Sequence, residues 1–81
     1  MKRLLLGLGI LLTGCSDDRS PTYTLYRNSP VDASMRVHVA TYDANDRGSF
    51  NQGNCRHASD LLNKQGVVGV KWWCEEGRFR E

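Results

Sequence analysis

The opening residues constrain the fold more than any others, because they are read as removing themselves from it. Met1, Lys2 and Arg3 start the chain with positive charge, an unbroken apolar run follows from Leu4 to Leu12, and Thr13, Gly14 and Cys15 close it with small residues. A basic start, a short apolar stretch and small residues at a cut are the three parts of a secretory signal. The run is far shorter than the roughly 20 residues a helix needs to span a bilayer, so a retained membrane helix is not expected. Residues 1–14 are expected to leave, and 67 of the 81 residues remain to fold. That suffices for one small domain but not for a large core, a size at which extra staples are common.

Leu12-Thr13-Gly14-Cys15 resembles the lipobox of bacterial lipoproteins. Ordinary signal peptides end in an Ala-x-Ala-like site, which is absent. The resemblance implies a diacylglyceryl group on Cys15, cleavage just before it, and a mature chain held to a membrane by two or three acyl chains. Each buried methylene contributes about 0.8 kcal/mol, so several chains on one residue make a lasting anchor where a single chain binds reversibly. In that family an aspartate after the cysteine favours the inner membrane. Ser16 stands there, which implies the outer membrane, facing the periplasm.

Of the three cysteines, Cys15 is then committed to lipid, and Cys55 and Cys74 remain as a pair. In an oxidising envelope they are expected to form a disulfide. Closing a loop of about 20 residues contributes on the order of 3 kcal/mol in the chain-entropy view, a large share of so small a domain's stability. A metal set pooling Cys55, His57, Cys74 and His38 lacks zinc-finger spacing, and the pair is not a Cys-x-x-Cys redox motif. No metal and no cofactor is expected. Lys2 and Arg3 leave with the signal, so nine basic residues face nine acidic ones. A near-neutral exported domain gives no reason to expect a nucleic-acid partner.

Along the mature chain, residues 15–21 form the lipidated cysteine and a polar tether, and residues 22–81 the domain. Thr22–Arg27 is rich in β-branched and aromatic residues, followed by turn formers at Asn28-Ser29-Pro30, and predicts a first strand. Met35–Tyr42 alternates Met35, Val37, Val39 and Thr41 against Arg36, His38, Ala40 and Tyr42, the period of a half-buried second strand. After a polar loop at Asp43–Gly48, Ser49 or Asn51 is placed to cap a helix running to about Lys64, with Gly66 as its stop. Cys55, Ala58, Leu61 and Leu62 share one side of that helix. Val67–Glu75 predicts a third strand with Val68, Val70, Trp72 and Cys74 on one face, which a Cys55–Cys74 bond would place under the helix. Glu76–Glu81 is a short polar tail whose Phe79 can tuck back. The result is an α+β domain of β-β-α-β order: a three-stranded sheet, one helix on one face, one disulfide. If the second and third strands are parallel, the helix is a right-handed crossover.

Tyr23–Arg27, Arg36–Thr41 and Trp72–Phe79, in that order, resemble segments of small uncharacterised lipoproteins of Gram-negative bacteria and their prophages. The resemblance covers most of residues 22–79 and implies a location rather than an activity.

No catalytic residues are predicted. His57, Ser59 and Asp60 lie close in sequence but point in different directions on a helix, and His38 is the one candidate acid or base, without a second group. The expected role is non-catalytic binding or structure, toward an envelope protein, peptidoglycan or a lipid headgroup. The alternatives are a small wall-acting enzyme or enzyme inhibitor, or a phage-exclusion lipoprotein. Strand alternation gathers Tyr26, Arg36, His38, Lys71 and Trp73 on the sheet face away from the helix. Such a cluster can bind by stacking and charge. Equally, long cationic stems can shield its rings, or the Asp43–Phe50 loop can fold over it.

Overall fold

The computed structural model describes residues 18–81, so the signal, Cys15 and Ser16 lie outside the described residues. Three strands, β1 (Tyr23–Ser29), β2 (Asp32–Tyr42) and β3 (Trp72–Glu76), and one helix, α1 (Phe50–Lys64), follow in the order β1-β2-α1-β3. β1 lies in the middle of the sheet, antiparallel to β2 on one side and to β3 on the other. The outer strands therefore point the same way without touching, and α1 carries the chain from one edge to the other across β1. No helix among the described residues is long and apolar enough to cross a membrane.

The central strand is buried on both faces. Leu25 faces α1, while Thr24 and Tyr26 face the other way, and each is no more than 1% exposed. Cys74 pairs with Leu25 across the sheet and is bonded to Cys55, which is fully buried on the helix, with 6.2 Å between their Cα atoms. The disulfide thus fixes α1 over the face that also carries Tyr23, Arg27 and Trp72.

Two strand expectations need correction. The third strand begins only at Trp72. Gly69, with φ +77°, and the N–H of Val70, which donates to Val67 O at 3.2 Å, close a tight turn there. A positive φ at that place is a glycine's role, and it breaks the alternation before the strand starts. Val68 is therefore not beneath the helix but 90% exposed. In β2, Leu25 pairs with Ala40 but Tyr26 with His38, so Val39 is an extra residue. This bulge moves Ala40 and Tyr42 to the helix side with Val37, and Thr41 to the opposite side with His38. Alternation in the sequence cannot register such an insertion. Pairing is irregular again between Arg27 and Ser29. Two kinks in an edge strand discourage pairing with another chain.

The helix obeys its sequence signals at one end and departs from them at the other. Gly66 takes φ +68° just past the last turn and ends it. At the start, the Ser49 side chain makes no capping bond. Instead, Ser20 Oγ accepts the Asn51 N–H at 2.9 Å, satisfying a first-turn donor from far away in sequence. The buried Asn51 side chain accepts the Ala44 N–H and donates to the carbonyls of Ser20 and Ala44. Ser20 N–H donates to Asp46 O, Gly48 N–H donates to Asp18 O, and Arg19 bridges Arg47. The end of the expected tether, Asp18–Ser20, is thus built into the domain.

Candidate binding face

Tyr26 is the centre of the face opposite the helix. The bulge and the register bring His38 beside it from β2 and Trp73 beside it from β3. Trp73 stacks on its ring at 6.0 Å between centroids with 24° between planes. The Arg36 guanidinium lies 4.3 Å above the ring centroid. Four of the five expected residues, Tyr26, Arg36, His38 and Trp73, therefore meet. Lys71 stands exposed just outside β3, its backbone fastened to Asn28 by an N–H to Asn28 Oδ1 at 2.9 Å and a carbonyl that accepts the Asn28 N–H.

The face is covered, and the cover is the C-terminal tail rather than the Asp43–Phe50 loop. Gly77, with φ +109°, turns the chain back while its N–H donates to Thr22 O and its carbonyl accepts the Thr24 hydroxyl at 2.7 Å. Phe79 then sits between two rings, 6.0 Å from Tyr26 and 4.7 Å from His38, nearly parallel to the latter. Arg36 Nη1 donates to Arg80 O at 2.6 Å, and the Arg80 N–H reaches the Tyr26 hydroxyl at 3.3 Å. Tyr26 is consequently only 1% exposed, with its hydroxyl accepting a bond.

Glu75 ties these parts together. Its two oxygens take a fork from Arg36, Nη2 at 2.7 Å and Nε at 3.3 Å, and one of them also accepts the Trp73 indole N–H at 2.8 Å. Paired forks of this kind fix geometry as well as charge. The Arg36 bond, then the indole bond, holds the Glu75 carboxyl below its usual range, and the same pair raises Arg36. Sequence reasoning left Glu75 out of the cluster, although it follows Trp73 by two residues on a strand and so shares its face.

His38 Nε2 lies 2.8 Å from the Thr41 hydroxyl, a contact that the Val39 bulge makes possible. No group of three metal-binding side chains occurs among the described residues. With Tyr26 enclosed and Glu75 occupied, the outward-facing chemistry is the His38 ring, the Lys71 ammonium, and the exposed parts of Arg36 and Trp73. That set suits stacking and charge recognition. Comparison with protein-family models, with curated proteins and with solved structures finds no match to this chain.

Proposed function

We propose that the chain is an envelope lipoprotein, exported, cut before Cys15 and held by lipid on that cysteine at the outer membrane, facing the periplasm. Its role there is non-catalytic: it presents a small rigid domain to an envelope protein, peptidoglycan or a lipid headgroup. One observation carries the reading. The Cys55–Cys74 bond accounts for two of the three cysteines and suits an oxidising compartment, which leaves Cys15 as the odd one, at the end of a basic, apolar and small-residue run. The non-catalytic part is supported by His38, whose ring is stacked on Phe79 and bonded to a hydroxyl, with no carboxylate among the described residues bonded to it to orient it as a base.

Metabolic labelling with an alkyne fatty acid, followed by membrane fractionation, tests it. The natural chain is expected to take label and to travel with outer-membrane markers, and Cys15→Ala to take none. Label retained by Cys15→Ala would overturn the lipidation site. Label on the natural chain together with inner-membrane fractionation would overturn the sorting that Ser16 implies.

A further inference from the structure

We infer that the end of the domain formed by Arg19, Arg47 and Phe50 rests on the lipid surface itself, fixing the domain's orientation with its Val31–Val68 end directed away from the membrane. The inference rests on lipidation of Cys15 as proposed above. It goes further because Asp18–Ser20 are not free chain. Ser20 is bonded to Asp46 and to Asn51, Asp18 to Gly48, and Arg47 Nη1 approaches Asp18 Oδ2 at 3.3 Å. Only the steps from Cys15 to Asp18 then separate the lipid from a fixed point on the domain. An extended chain covers about 3.5 Å per residue, so that separation is at most roughly 11 Å. A lipid-bearing cysteine sits at headgroup level, and within that reach the anchored end cannot stand clear of the headgroups.

The surface at this end fits such a contact. Arg19 and Arg47 are exposed and bridge one another across the Asp18–Ser20 and Asp46–Gly48 segments, and Phe50 is 44% exposed beside them. Guanidinium groups at phosphate depth with an aromatic ring below them are ordinary interfacial chemistry. Asp18, Asp43, Asp46 and Glu76 stand against Arg19, Arg47 and Arg78 here, with ion pairs Asp18–Arg47 and Asp43–Arg78, so charge alone does not draw this end to anionic lipids. The anchor supplies the attraction, by holding the surface at high local concentration. The opposite end is built differently. Val31 and Val68 are 91% and 90% exposed on two turns that meet where Gly69 approaches Pro30, one full length of β1 from Ser20, roughly 20 Å by strand geometry.

The test is photocrosslinking of the purified, lipidated full-length protein in vesicles of phosphatidylethanolamine and phosphatidylglycerol. p-Benzoylphenylalanine is placed in turn at Phe50, Arg19, Val31 and Val68, the last three being exposed sites outside the core, and lipid adducts are read by mass spectrometry. Several-fold more adduct is expected from positions 50 and 19 than from 31 and 68. A flexible spacer of about ten residues inserted before Asp18 should erase the difference, because a coil of that length lets the domain tumble. Equal adducts from both ends of the unmodified-linker protein, or more from the valine end, would overturn the inference. The mass of the N-terminal peptide in the same samples separates the two levels: acylated Cys15 with no end preference defeats the orientation alone, and unacylated Cys15 defeats the lipoprotein reading beneath it.

Discussion

The two faces of the sheet are closed by different physics. On one, a helix of four turns is bonded covalently to the edge strand, and Asn63 adds a second tie, its amide pairing with both the N–H and the carbonyl of Trp72. On the other, a few tail residues lie over Tyr26, held by ring contacts, by the Gly77 N–H to Thr22 O and the Thr24 hydroxyl to Gly77 O, and by the Arg36 bond to the Arg80 carbonyl. Burial beneath them is equal, since Leu25 and Tyr26 are each 1% exposed. What differs is how many contacts must break before water enters. The helix side is therefore expected to open only with the whole domain and the tail side by itself, as local openings draw on regions with few buried contacts. On the proposed binding role, a partner would reach this aromatic and cationic face through that lighter cover.

The largest expected effects concern the two buried centres. Tyr26→Ala removes the ring on which Trp73, Phe79 and Arg36 all rest, and should cost about 3–5 kcal/mol in urea unfolding, a large aromatic deletion. Leu25→Ala, of similar burial, should cost about 2–5 kcal/mol yet leave the tail's rings packed. Near-ultraviolet circular dichroism distinguishes them, because only the first should change the aromatic signal strongly. Next, Cys74→Ala should lower stability by about 2–5 kcal/mol while Phe79 stays on Tyr26. If the tail detaches too, the faces are coupled and the comparison fails.

Phe79→Ala should cost less, about 1–2 kcal/mol from two lost ring pairs. A smaller contribution depends on pH. Glu75 titrates below its ordinary value of 4.5 because of Arg36 and then Trp73. Its folded pKa is lower than its unfolded one, so its stabilisation is complete above the unfolded value and fades as pH falls through the folded one. Thermal melts followed downward from neutrality should therefore show a loss in acid that Glu75→Gln lacks. Smaller still, His38→Ala should cost about 0.5–1 kcal/mol for its one ring pair with Phe79, and Lys71→Ala, whose side chain is exposed, no more than about 0.5 kcal/mol, while both reduce capture of an envelope partner in crosslinking. An unchanged crosslink pattern in the double variant would remove these two from the binding face.

The order of elements, the helix and its Gly66 stop, the disulfide and the meeting of Tyr26, Arg36, His38 and Trp73 were legible from periodicity and cysteine arithmetic, whereas Glu75's place among them was passed over and Lys71 was wrongly included. Three backbone features were not legible, each for a physical reason. The Val39 bulge leaves no trace in a run of alternating residues, because inserting one residue changes facing without changing composition. The turn at Val67–Val70 is built from β-branched residues that favour strands, and the one contrary sign was Gly69. The capture of Asp18–Ser20 rests on bonds to Asp46, Gly48 and Asn51 that span up to 31 residues, beyond any local pattern. A polar segment without apolar period reads as tether, yet hydrogen bonds tie its last residues to the domain.

Native-state hydrogen exchange of the oxidised protein measures the difference between the faces directly. The amides of Gly77 and Arg80, which bond Thr22 O and the Tyr26 hydroxyl, are expected to exchange through local opening, with protection well below that of the Tyr26 amide on the central strand and the Cys55 amide within α1, and little changed by mild denaturant. If instead the tail amides exchange only as the core does, with the same denaturant dependence, the two faces open as one unit and the tail is not a separable cover.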